Sequence, residues 1–214
     1  LQTGKTKPMK YPRTPHLSNS ESIHKEDRIY KSDRIFKEEI VITEKRDGSN
    51  IMLSRANVYA RSHSGAPKHP SFDMLKQKWA CVRDLIPDNV LIFGEWLYAK
   101  HSIAYSDLED YLEIFAILKN NVWLSFDDLT IFCEERNFIR VPLIFRGRVN
   151  EKSLQMYCEG NKNKEGIVIR VARAFRVDEF SNCVAKYVRP NHVQTDEHWT
   201  NQKIIVNGLI NEYR

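Results

Sequence analysis

Short apolar runs alternate with polar turns through the first third of the chain. Ile40-Val41-Ile42 and Ile51-Met52-Leu53 flank the polar stretch Glu44–Asn50, EKRDGSN. This pattern predicts strands over 40–46, 49–54 and 57–62, the last two joined at Arg55-Ala56-Asn57. The period then changes. Phe72, Leu75, Trp79, Val82 and Ile86 recur at three- and four-residue steps, which predicts an amphipathic helix over 71–86 that Pro87 ends. Strands are predicted at 90–97 and 111–118. Ser125 with Asp128 makes a partial capping box, Glu being the usual acid, and opens a helix to about residue 136. A helix over Glu151 to Cys158 and strands over 166–171 and 183–188 follow. The last twenty residues read as helical and polar, and the first twenty, with Pro8, Pro12 and Pro15, as irregular. No internal repeat is visible. The expected fold is one α+β domain of antiparallel strands with peripheral helices.

Composition narrows the class. The 214 residues are 42% hydrophobic and 29% charged, enough for a globular domain with its own core. No apolar stretch approaches a membrane span, and LQTGKTKPMKYPRTP lacks the apolar segment of a signal peptide. Cys81, Cys133, Cys158 and Cys183 are scattered without metal-ligand spacing, so reduced thiols and an intracellular location are expected. The chain opens on Leu1 rather than Met, as a fragment or processed product does. A net charge of +5 permits attraction to a polyanion without demanding it. Lys5, Lys7, Lys10, Arg13, Lys25, Arg28, Lys31, Arg34 and Lys37 concentrate that charge near the N-terminus, as a solvated tail or as a phosphate-contacting face.

One set of residues suits adenylyl transfer to a lysine. That chemistry needs an amine nucleophile, a base pocket, ribose contacts, and cations for the phosphates. It also needs carboxylates for a hard metal ion. A lysine is normally protonated at neutral pH, so a nearby cation or metal must disfavour its charge. Lys45 ends a strand and is the candidate nucleophile. Arg61 lies in ARSHSG, Glu95 in FGEWLYAKHSIAY, Phe115 in YLEIFAI, Glu165 in KEGIVIR, and Lys186 in the β-branched VAKYVR. Singly, each has an ordinary structural reading: a turn, a core ring, a strand-end charge, a snorkelling lysine. His63 and His101 have no second ligand at useful spacing, so contact with RNA or phosphate is their expected use; His192 and His198 read as surface residues.

The order and wording of these strings resemble the covalent nucleotidyltransferase superfamily of ligases and capping enzymes. Within it they look most like ATP-dependent RNA ligases. Asn50 ending the first motif and the YAKHSIAY segment look RNA-ligase-like, and AKYVRPNHVQTDEHW and the N-terminal YPRTPHL are similar to the nick-sealing, Deinococcus-type branch. The resemblance implies a ligase adenylation fold. It implies that Lys45 carries AMP, that Glu44 meets the adenine edge and that Phe115 stacks on its face. Asn50, Arg61 and Glu95 are then expected at the ribose or adjoining phosphate, Asp47 and Glu165 at metal-bound water, and Lys186 at the α-phosphate. The implied cofactors are ATP, as covalent AMP, and Mg²⁺ or Mn²⁺. The implied partner is RNA, as a nicked duplex or broken ends, without a membrane and with a monomer favoured.

Two departures stand out. Relatives often carry Lys-x-Lys in the last motif, whereas Val184 holds the first position here, so Lys164 or Arg189 is expected to supply the second phosphate contact. Relatives also carry an accessory domain. Here the expected layout is a basic segment over 1–38 packed on the core, an adenylyltransferase domain over 39–190 and a C-terminal helical segment over 191–214, with no separate OB-fold or large accessory domain. The alternatives are an mRNA-capping guanylyltransferase and a non-catalytic nucleic-acid-binding module of the same fold.

Overall fold

The computed structural model describes residues 9–61, 66–160, 164–190 and 203–210. In chain order the elements are α1 (Arg34–Lys37), β1 (Ile40–Lys45), β2 (Ser49–Leu53), β3 (Val58–Ala60), α2 (Asp73–Val82), β4 (Val90–Trp96), β5 (Leu112–Lys119), β6 (Val122–Trp123), α3 (Phe126–Glu134), β7 (Ile139–Arg140), β8 (Leu143–Gly147), α4 (Glu151–Gly160), β9 (Gly166–Val171), β10 (Phe175–Arg176), α5 (Phe180–Cys183) and β11 (Val184–Val188).

The strands form two sheets. One has the order β11-β9-β1-β8 and is antiparallel throughout. The other runs β10-β6-β5-β4-β2-β3, with the short β7 added parallel to β5. Period-two alternation gives each sheet two apolar faces. Ile51, Leu53, Ile92, Trp96, Ile114 and Ile117 of the larger sheet pack outward with Phe72 just before α2, Leu75 of α2, and Leu129 and Phe132 of α3. Ile40, Ile42, Ile167, Ile169 and Ala185 of the smaller sheet pack outward with Leu154 and Cys158 of α4. The facing sides meet in a third cluster, where Met52, Phe93, Ala116 and Trp123 oppose Val171, Phe180 and Val184. Ala116, Trp123, Phe180 and Val184 of that cluster also line a cleft between the sheets.

Local detail explains where the elements depart from the pattern. The helix expected over 71–86 is interrupted: 3₁₀ turns at Pro70–Phe72 and Arg83–Leu85 flank α2, while Ile86 is still fully buried. Ser125 caps α3 as expected, its hydroxyl accepting from Asp128 N–H at 3.1 Å. The shorter Asp128 carboxylate meets the Ser125 hydroxyl at 2.6 Å, so the capping box is incomplete. Asn120 and Asn121 both take positive φ and turn β5 tightly into β6. β9 and β11 approach so closely at Gly166 that an added Cβ would lie 2.0 Å from the Tyr187 carbonyl oxygen.

The helical reading of the C-terminus is corrected for its described part. Val206 and Leu209 pair instead with Ala99 and Leu108 as isolated bridges. Asn207 is buried there and fastens the 98–105 loop, donating to Leu97 O at 2.7 Å and accepting from Tyr105 N–H at 3.0 Å. At the other terminus, within the stretch expected to be irregular, residues 15–17 run along the edge of β11 and pair with Lys186. No helix among the described residues is long and apolar enough to cross a membrane.

Candidate functional site

Three neighbouring strands carry the centre of the site. Lys45 is registered with Gly166, and Lys186 with Val168, so β1, β9 and β11 bring Lys45, Glu165 and Lys186 together. Lys45 Nζ lies 2.6 Å from Glu165 Oε1, and both face the cleft. The cleft encloses about 1790 Å³. Small-molecule sites take roughly 300–1,000 Å³, so this one has room for a larger ligand.

The larger sheet supplies the opposite wall. Asn50 and Glu95 are cross-strand partners on β2 and β4 and line the cleft. Phe93 pairs with Ala116 and Gly94 with Ile114, which makes Phe115 the extra residue of a β-bulge. The bulge puts Phe115 and Ala116 on the cleft side in succession, an arrangement that re-aims a side chain. Tyr11 packs edge-on against Phe115 with ring centroids 5.0 Å apart. Arg61 lines the cleft just after β3 and lies close enough to act on Lys186. His63, His192 and His198 lie outside the described residues. His101 lines the cleft, its Nε2 3.4 Å from Ser49 Oγ.

Electrostatics at Lys45 differ from the sequence expectation of an amine discharged by a neighbouring cation. Burial works to discharge Lys45, but Glu165, Glu95 and Asp47 outweigh it and hold its pKa above the usual lysine value. The free chain therefore stores this amine as an ion pair. Lys186 behaves oppositely: burial, then the charge on Lys45, pull it below the usual value. Burial pushes the Glu95 carboxyl up to about 8, opposed by Lys45 and reinforced by Glu165. Glu95 also accepts from Gly48 N–H at 3.2 Å.

A pH dependence follows. The folded chain holds the Glu95 proton that the unfolded chain loses near the ordinary value of 4.5, so this contribution to stability fades as pH rises through about 8. Buried His16, lowered to about 4, opposes the trend only below its ordinary 6.5. Thermal melts of the ligand-free protein should fall between pH 6.5 and 8, and Glu95→Gln should flatten that slope. A slope unchanged in Glu95→Gln counts against this assignment.

Asp47, Glu44 and Lys164 are held in particular ways. Asp47 Oδ2 accepts from the N–H groups of Ser102 and Ile103, both at 2.8 Å, and Asp47 N–H donates to Tyr105 Oη at 2.9 Å. It thereby draws the 98–105 loop against the β1–β2 turn. Glu44 is buried and pairs with Arg46 and Lys164, both at 2.8 Å. Lys164 thus serves the Glu44 side, and neither it nor Arg189 lines the cleft beside Val184. Val184 itself is buried in the apolar cluster between the sheets.

Sequence reasoning passed over Arg46 and Glu113. The Arg46 guanidinium grips Glu113 with two bonds, at 2.7 and 2.9 Å, and lies 4.9 Å from the Tyr105 ring centroid. The chain Lys164–Glu44–Arg46–Glu113 therefore ties the two sheets together beside Lys45. The available signal was Glu113 itself, a carboxylate between Leu112 and Ile114 in an apolar strand.

Among the described residues, no group of three or more His, Cys, Asp or Glu forms a metal cage. The donors around Lys45 are nevertheless all carboxylates. Oxygen donors without a complete cage suit Mg²⁺ or Mn²⁺ that keeps water and substrate oxygens as ligands, so the residues present fit such an ion.

Comparisons with solved structures agree on the fold. An archaeal ATP-dependent RNA ligase, form 2, aligns with TM-score 0.58 and 14% identity over 84% of this chain and 48% of that one. A putative ATP-dependent DNA ligase from Aquifex aeolicus aligns with TM-score 0.54 and 18% identity over 84% and 50%. A Naegleria gruberi RNA ligase solved with PPi aligns with TM-score 0.53 and 17% identity over 86% and 61%. Variants of that Naegleria protein are solved with ATP and Mn and with AMP and Mn. The chain thus spans about half the length of the first two and less than two thirds of the third. No curated protein sequence matches it. The two-sheet α+β architecture is that of ligase adenylation domains. A protein-family model described as RNA ligase matches residues 38–188, from just before β1 to the end of β11, and the chain belongs to that family.

Proposed function

We propose that the chain is the adenylyltransferase domain of an ATP-dependent RNA ligase of the nick-sealing, Deinococcus-type branch. The observation that carries this reading is the grouping of Lys45, Glu165 and Lys186 on one wall of the cleft, opposite the bulged Phe115. In the proposed complex, adenine stacks on Phe115. Glu44 offers acceptors to its amino group, an arrangement that opposes the O6 of guanine and gives no support to GTP-dependent capping. Asn50, Arg61 and Glu95 lie at the ribose and the adjoining phosphate, and Lys186 at the α-phosphate.

Lys45 gives up its proton, with Glu165 Oε1 as the acceptor 2.6 Å away. The Nζ lone pair then forms a bond to the α-phosphorus, and the bond to the β-phosphate oxygen breaks. Pyrophosphate leaves with that electron pair, and AMP stays on Lys45. Lys186 stabilises the charge gathered on the phosphoryl oxygens. Asp47 and Glu165 are the groups that would hold, through water, Mg²⁺ or Mn²⁺, which when bound supplies charge neutralisation to the triphosphate. AMP next passes to the 5′-phosphate of an RNA end. Finally the 3′-hydroxyl of the neighbouring strand displaces it, forming the phosphodiester. Lys10, Arg13, Lys25, Arg28 and Lys100 line the rim of the cleft and would meet the RNA backbone.

Incubation with ATP, Mg²⁺ and a nicked RNA duplex bearing a 5′-phosphate tests the proposal. Sealing of the nick, weakened by added salt, is expected. Lys186→Ala should slow lysyl-AMP formation by about 10²–10³-fold, the usual cost of losing one charge-stabilising donor. Lys186→Ala forming lysyl-AMP at the wild-type rate, or self-labelling from GTP in preference to ATP, would remove this reading.

A further inference from the structure

Beyond Tyr11 and Arg13, the YPRTPHL motif reaches the catalytic wall through His16. Lys186 is the one lysine kept of the Lys-x-Lys pair, because Val184 is apolar and buried. It lies on β11, the edge strand of its sheet. The N-terminal segment closes that edge at Lys186 itself: Lys186 N–H donates to Pro15 O at 2.9 Å, and Leu17 N–H donates to Lys186 O at 2.8 Å. His16 is thereby the parallel bridge partner of Lys186. Partner residues in such a bridge project from the same face, and both line the cleft.

The His16 ring is held at both nitrogens. Nδ1 lies 2.9 Å from Ser20 Oγ, and that hydroxyl in turn accepts from Val188 N–H on β11 at 3.0 Å. Nε2 lies 3.4 Å from Asp27 Oδ2, a long contact, and the same oxygen accepts from His24 N–H at 3.0 Å. The His16 side chain is 3% exposed. Burial first, then the charge of Lys186, suppress its protonation, so it adds no third positive charge beside Lys45 and Lys186. Asp27 stays ionised within electrostatic reach of Lys186. A fixed neutral ring thus neighbours Lys186 on the same face of the sheet edge, and the Lys186 ammonium feels both the attracting Asp27 carboxylate and the repelling charge of Lys45.

We propose that His16, oriented by Ser20 and Asp27, is a positioning residue that fixes Lys186 for phosphate contact. This inference rests on the reading of the chain as an enzyme that takes AMP from ATP. The N-terminal segment is then part of the catalytic apparatus and does more than cover a sheet edge.

Single-turnover labelling with ATP and Mg²⁺ separates positioning from a purely structural role. His16→Ala should lower the rate constant at saturating ATP by about 10- to 100-fold, the scale of a misplaced reacting group. The final fraction labelled and the ATP concentration for half-maximal rate should stay near wild type. Forward labelling and pyrophosphate-driven reversal should slow together. His16→Gln, whose amide can still donate toward Asp27, should recover most of the rate. Wild-type kinetics in His16→Ala would overturn the inference, as would a loss confined to labelled fraction and melting temperature. A wild-type protein that takes no AMP overturns the parent reading and this inference with it; a labelled wild type with an unaffected His16→Ala overturns the inference alone.

Discussion

Lys45→Ala is expected to leave a folded protein that acquires no covalent AMP. The lysine is a quarter exposed at the cleft wall, and its removal opens space toward solvent rather than a core cavity. Glu165 and Glu95 would lose their cation, and protonation would relieve their mutual repulsion. The chemistry has no substitute. Lys186 is registered with Val168, two positions along β9 from the Lys45 partner Gly166, so its amine approaches the phosphate from another place. Lys45→Arg should be equally inactive, since a guanidinium does not deprotonate in a protein. The check is labelling with ATP over hours at saturating nucleotide, set beside a thermal melt. Loss of about 10³-fold or more is expected, as for removal of a covalent nucleophile. A variant that labels at the wild-type rate assigns the nucleophile to another residue.

The second large effect is on stability. Arg46→Met should cost about 3–5 kcal/mol, the range for leaving a buried charge without its partner. Glu113 is 3% exposed and relies on both Arg46 bonds; burial already raises its pKa, with Arg46 the main force restraining the rise. Glu44 would lose one of its two cations. Against a total of about 5–15 kcal/mol for a domain, that loss is large. Adding Glu113→Gln to Arg46→Met should restore part of the stability, because the amide removes the stranded charge. Urea denaturation of the four-member cycle measures the coupling. A single Arg46→Met within about 0.5 kcal/mol of wild type, the scatter of neutral surface changes, would show that solvent compensates the network.

Strands with plain patterning were legible in the sequence. β1, β2, β4, β9 and β11 follow from uninterrupted apolar or β-branched runs, and Ser125 marked the start of α3. β8 escaped because Leu143-Ile144-Phe145 is hemmed by Pro142 and Arg146 and lies half-exposed at a sheet edge, without a buried face to announce it. The double asparagine at 120–121 was a usable hairpin signal. The C-terminal Ile204-Ile205-Val206, followed by Asn207-Gly208, suits extended pairing better than a helix.

The site was legible as a set of residue types and illegible as an arrangement. Lys45, Glu165 and Lys186 meet because β9 lies between β1 and β11, a pairing order that no local pattern encodes. Phe115 was recognised as an aromatic on a strand, but the bulge that turns it into the cleft depends on the Gly94 register. Arg46 and Glu113 are 67 residues apart, and their partnership is a long-range fact. Lys164 went to Glu44 because it precedes β9 on the side where Glu44 lacks a second cation.

The central claim is that Lys45 is the covalent carrier of a nucleotide. Intact-protein mass spectrometry after incubation with ATP and Mg²⁺, with GTP in parallel, tests it most directly. Any prebound AMP is first removed with pyrophosphate. The account predicts a gain of one AMP from ATP, mapped to the peptide containing Lys45 and absent in Lys45→Ala. No gain from either nucleotide, or a gain mapped to another lysine, would contradict it.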